Sequence, residues 1–193
     1  MQPKDVLLGY LERGREAMLW KLDGLSEYDV RRPMTPTGTN LLGLVKHLAS
    51  VELGYFGEVM GRPSGVPLPW YDEPDQPPNA DMYATADETR EELVELYRSA
   101  GRHTAATVAA LDLDAPGHVP WWGERGEVTL HQVLVHVIAE THRHTGHADI
   151  IREQIDGAAG LRAGVDNLPD LDAGGWRRQY DELQAIAEQF RTL

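Results

Sequence analysis

The chain has 193 residues, 41% of them hydrophobic and 25% charged, which suits one globular domain over residues 1–193 with a substantial core. Its 31 acidic and 18 basic residues give a net charge of −13, which repels phosphate backbones and argues against nucleic-acid binding. There is no cysteine, which excludes disulfides, Cys-ligated zinc and a thiol nucleophile of the protein's own.

No apolar run approaches the roughly 18 residues of a membrane span, so no membrane partner is expected. The opening stretch MQPKDVLLGYLERGRE is amphipathic and lacks the apolar region of a secretory signal, so the cytoplasm is the expected compartment. The first helical pattern spans about residues 3–25. Val6, Leu7, Tyr10, Leu11, Met18, Leu19 and Leu22 form its stripe, and Pro3 suits a helix start. Residues 26–39 are rich in Pro, Thr and Gly and read as a loop. Arg31, Arg32 and Thr39 could line a pocket there, but read first as solvated.

A second helix is expected from about Asn40 to Met60, with the stripe Leu41, Leu44, Leu48, Val51 and Tyr55. His47 falls at the edge of that stripe, where a lone histidine is usually a core residue. It gains weight if a neighbouring helix offers further ligands. Residues 61–80 form a long proline-rich loop, often a lid or rim, in which Trp70 and Tyr71 either cover a site or pin the loop down.

The third helix is expected over about residues 85–111, capped by Thr85 or Asp87, with Leu93, Leu96, Tyr97, Ala100, Thr104 and Val108 inward. His103 and the acidic run 87–95 read as surface. Residues 112–128 form another loop, in which Trp121 and Trp122 either wall a pocket or seal the end of the helices. Thr129 caps a fourth helix ending near Asp156, before Gly157. Residues 158–175 are loose, and a short final helix over about 176–190 carries Tyr180, Leu183, Ile186, Ala187 and Phe190. Strand-like alternation is not evident. The expected fold class is all-α: a four-helix bundle with long loops that cross over its ends, plus a short C-terminal fifth helix.

The fourth helix carries the chemistry. Five of the eight histidines lie within residues 131–152: His131, His136, His142, His144 and His147. The row Val133, Val137, Glu140, His144, His147, Ile151 advances by three or four residues and forms one helix face, apolar at both ends. Glu140, His144 and His147 lie within about 60° of one another around the axis. Burying such groups without partners costs several kcal/mol, and a divalent metal would satisfy them together. The plainer reading is an i,i+4 pair beside a core histidine.

These residues resemble a family. Helical bundles of the DinB/YfiT-like superfamily share a histidine in the second helix and an H/E-x-x-x-H pair in the fourth. Here those would be His47 in GLVKHLASVE, with Glu140 and His144. The run HVIAETHRHTGHADIIREQIDG is similar to the DUF664 branch, in which a further histidine follows in an RHxGHAD motif, here His147. Glu140 stands where many members have histidine, and in this the chain is similar to the mycothiol-dependent maleylpyruvate isomerases. The resemblance implies a metal-binding bundle and leaves two ligand sets: His47, Glu140, His144, or His47, His144, His147. It also implies a low-molecular-weight thiol such as mycothiol as cosubstrate.

The expected cofactor is one divalent transition metal, zinc or nickel foremost, since imidazole and carboxylate suit both. The expected partners are a thiol and a small-molecule electrophile, joined by S-transfer or isomerised in a detoxification or stress role. A metal-dependent hydrolase at the same site and a bundle with a structural metal are the alternatives. The oligomeric state, including a homodimer, is left open.

Overall fold

The computed structural model describes residues 2–191, which are mainly α-helical. Helix α1 (Pro3–Trp20) starts with the Gln2 N–H donating to Asp5 Oδ2 at 3.2 Å and Pro3 in the first turn. It stops earlier than its stripe suggests, in the turn of residues 21–24. Residues 26–39 hold a short helix α2 (Glu27–Arg31), capped by Ser26. Helix α3 (Leu41–Leu53) begins where Asn40 Oδ1 accepts from Gly43 N at 2.8 Å. It continues as a π-helical turn, Gly54–Val59.

A single turn of helix, α4 (Pro69–Asp72), interrupts the proline-rich loop. Helix α5 (Arg90–Ala110) starts later than expected. Its cap is Thr89 rather than Thr85 or Asp87, because Thr89 and Glu92 form a capping box that satisfies two backbone N–H groups. A hairpin of β1 (Pro116–His118) and β2 (Glu127–Thr129) lies in the loop before α6, joined by a 3₁₀ turn over Pro120–Arg125. Strands of three residues are too short to leave a period-two signal, so neither was expected from periodicity. Thr129 caps α6 (Leu130–Asp156), and Gly157, with φ 77°, ends it in the left-handed conformation. Helix α7 (Ala173–Glu188) follows.

Helix α3 packs on α5 and α6, and α1 packs on α6 and α5. One apolar cluster gathers Leu41, Leu44, Leu48, Tyr97, Ala100 and Ile151. The second gathers Leu11, Phe56, Leu130, Leu134 and Val137. Helix α7 joins neither, and its Tyr180, Leu183 and Ile186 are exposed, as is Phe190 just beyond its end. Among the described residues no helix is long and apolar enough to cross a membrane.

Between the clusters sits a buried ion pair. Arg15 on α1 donates to both carboxylate oxygens of Glu52 on α3, at 2.6 and 2.8 Å, and Thr104 Oγ1 of α5 donates to the same group at 2.7 Å. Glu52 is fully buried, so its charge depends on Arg15. Replacing Arg15 by Met should cost about 3–5 kcal/mol by stranding that carboxylate. The double substitution Arg15→Met, Glu52→Met should recover most of the loss. Denaturant unfolding of the two variants measures both, and a single variant as stable as the parent would show that the pair does not hold the helices together.

Candidate metal centre

Of the thirteen residues of α3, His47 and Val51 alone escape full burial. Both line a cavity of about 600 Å³. Glu140 reaches the same cavity from α6, and His144 stands one turn further along. His47 Nε2 lies 3.4 Å from Glu140 Oε1, and His144 Nε2 lies 3.0 Å from the same oxygen. The two imidazole rings meet edge to face, centroids 4.9 Å apart. One donor atom from each of the three residues falls within 4.8 Å of the others. Ligands at about 2.0–2.1 Å from a tetrahedral ion would stand roughly 3.3 Å apart, so modest side-chain rotation closes the set.

The protonation pattern favours a cation there. His47 Nδ1 lies 2.6 Å from Asp81 Oδ2 and donates its proton to it. In the neutral ring that leaves Nε2 with a bare lone pair facing the Glu140 carboxylate, two acceptors that need a proton or a metal between them. Asp81 is itself held, because Tyr71 donates its hydroxyl to the same oxygen at 2.8 Å. Close packing sets the approach: a side chain on Gly43 would collide with the Met82 carbonyl, next to Asp81. Glycine there lets the loop that carries Asp81 lie against α3.

The charges follow from this geometry. Burial pulls the His47 pKa down, but Asp81 and Glu140 outweigh it and raise it above 6.5. His144 moves the other way, lowered by burial and by the nearby His47. Burial acts to raise Glu140 and Asp81, yet the facing imidazoles, with the Tyr71 hydroxyl at Asp81, hold both carboxyls below their usual range.

The other histidines go elsewhere. His147 is exposed, and its Nδ1 lies 3.3 Å from His144 Nδ1, on the far side of that ring from Glu140. His142 turns to α1, with Nε2 3.2 Å from the Tyr10 carbonyl, and His131 is exposed. His103, expected on the surface, is half-buried with Nε2 enclosed and unpaired among the described residues. Arg143 is exposed, and Arg31 donates to the Thr85 and Glu88 carbonyls, so neither lines the cavity.

The loop aromatics both pin and wall. Trp70 Nε1 donates to Ser50 Oγ at 2.9 Å and its ring covers the Lys46 ammonium, while Tyr71 and Trp121 line the cavity. Asp81 left no signal in the sequence, because a lone carboxylate in a loop names no partner. Tyr55 and His136 also line the cavity. The π-helical turn resets the register of α3 and brings Tyr55 there, as such turns often do near functional sites.

The family model for mycothiol S-transferase matches residues 6–157. The chain belongs to that family. The match spans α1 to the end of α6, so it contains every residue of the cluster and leaves out α7. Comparison with curated proteins gives no match. The chain itself contains no cysteine, and the cavity beside His47, Glu140 and His144 opens to a small molecule.

Proton titration of the metal-free protein by NMR should place His47 above, and His144 below, the ordinary value of 6.5. The His47 contribution to stability is then fully present below pH 6.5 and is lost as pH rises through its folded pKa. His144 has the opposite sign, costing stability as pH falls from 6.5 through its folded pKa. Asp81→Asn should bring His47 back down. An unmoved His47 in that variant would remove Asp81 as the cause.

Proposed function

We propose that this chain is a metal-dependent transferase that joins a low-molecular-weight, mycothiol-like thiol to a small electrophile. In this reading α1, α3, α5 and α6 form one DinB-type four-helix bundle, and His47, Glu140 and His144 are the metal ligands. The observation that carries it is the meeting of two imidazoles and a carboxylate at an open cavity, in a chain with no cysteine. The family match supports the thiol half of the reading, and the donor set supports the metal half.

Three protein donors leave a coordination position open, as in catalytic rather than structural zinc sites. A divalent ion, zinc or nickel, supplies when bound the positive charge that lowers the pKa of an incoming thiol toward neutrality. The residues of the chain do the rest. Asp81 fixes the His47 tautomer, so that Nε2 presents its lone pair on the side of Glu140. His147 holds the His144 ring through Nδ1. Tyr71 and Trp121, from two different loops, line the cavity and restrict water. A volume of about 600 Å³ lies within the range of small-molecule sites and admits a thiol beside an electrophile. Isomerisation through a thiol adduct and hydrolysis would use the same donors, and the need for a thiol separates hydrolysis from the other two.

The parent protein should bind about one divalent ion per chain. His47→Ala and His144→Ala should each abolish tight binding, and Glu140→Gln should weaken it strongly. Asp81→Asn and His147→Ala, which remove orienting partners, should weaken it by about 10–100-fold at most. Equilibrium metal titration checks each. An unchanged affinity in Glu140→Gln, together with loss in His147→Ala, would move the site to His47, His144 and His147.

Conjugation of a small thiol to an electrophile should stop on chelation and resume when the metal is returned. The rate should stay nearly flat through neutral pH, because the thiol is already ionised, and should fall in acid as protons compete for His47. Turnover of an ester at the same site with no thiol present would establish the hydrolase instead.

A further inference from the structure

Beyond the metal ligands, the cavity has a second end with its own chemistry. His136 sits on α6 one turn before Glu140 and lines the same space. Its ring lies 4.9 Å from Tyr55 and 4.8 Å from Trp122, centroid to centroid. Trp121 meets Tyr55 edge to face at 5.4 Å. These rings make an apolar wall suited to a flat, conjugated group. The Tyr55 hydroxyl accepts from Trp121 Nε1 at 3.3 Å, and among the described residues its own proton goes to no acceptor. It can therefore donate to an oxygen of a ligand lying against that wall.

The charge of the cavity is one-sided. Glu58, Asp72 and Glu140 line it, and none of the lining residues is Lys or Arg. Arg15 is engaged with Glu52, Arg31 with loop carbonyls and Arg62 with Thr107. If Glu140 and an incoming thiolate balance a divalent ion, the charge left over is that of Glu58 and Asp72.

We infer that the aromatic end formed by Tyr55, Trp121 and His136 is the electrophile subsite, and that it takes uncharged, planar electrophiles and rejects carboxylates. The word electrophile rests on the transferase reading. The discrimination itself does not, because it is a property of the cavity wall and can be measured with no thiol present.

The test uses two inert ligands that share a planar dinitrophenyl ring and differ by one carboxylate, 1,3-dinitrobenzene and 3,5-dinitrobenzoate. Each is titrated into the full chain at pH 8 and low ionic strength with a chelator present, so that no ion can ligate the carboxylate, and binding is read from line broadening of the ligand's ring protons. Dinitrobenzene should bind about tenfold more tightly, the effect expected of like charges a few ångströms apart at a solvated rim. Added salt should narrow the gap. Trp121 and Glu58 are exposed, so substitutions there keep the fold. Trp121→Ala should weaken dinitrobenzene severalfold, and Glu58→Gln should raise benzoate affinity more than that of dinitrobenzene. Equal affinities, tighter benzoate, no binding of either ligand, or an indifferent Trp121→Ala would overturn the subsite. Failure of the transferase reading would appear separately, as thiol consumption that needs no metal or does not occur.

Discussion

Helix α3 is buried on almost every side, and an apolar helix enclosed in this way cannot leave its polar side chains unpaired. Each of them therefore engages a neighbouring segment. Glu52 draws in Arg15 of α1 and Thr104 of α5. Lys46 reaches the Tyr83 carbonyl and Glu88, and lies under the Trp70 ring, while Ser50 takes the Trp70 indole proton. Together they draw the loop between α3 and α5 down onto the helix. His47 takes Asp81 on one side and faces Glu140 on the other. The packing of one helix thus sets both the scaffold and the site.

The same constraint explains why the site is half-open. His47 and Val51 are the two positions where the enclosure of α3 fails, and the cavity begins there. The imidazole of His47 is desolvated enough to need its partners, yet accessible to a ligand. Two carboxylates around it raise its basicity, and the ring of His144, crowded by that same histidine, is made less basic. Neighbouring imidazoles with opposite shifts around one carboxylate mark a cluster whose charges depend tightly on one another.

Cavity size alone would point elsewhere. A larger hollow of about 830 Å³ lies between α7 and the segment after α6, lined by Trp176, Tyr180 and Leu183 with Asp166 and Arg177. It contains no histidine, and α7, which forms one side of it, falls outside the segment matched by the family model. The convergence of donors, rather than volume, singles out the candidate site.

Periodicity determined which faces of the long helices are apolar, and the inner residues it marked on the third helix, Tyr97, Ala100, Thr104 and Val108, are buried. The histidine-rich row on α6 was equally legible, because Glu140, His144 and His147 share a face by helical spacing alone. The row could not say which of the three meets His47, since that depends on the angle and height at which α6 packs on α3. Packing turns Glu140 and His144 toward His47 and leaves His147 behind the His144 ring. Asp81, His136 and Tyr55 were invisible as site residues for the same reason. Each is an ordinary residue in its own segment and acquires a role only from what the fold sets opposite it. Composition decided that the protein has no thiol of its own, because no tertiary arrangement can supply a cysteine that the chain does not contain.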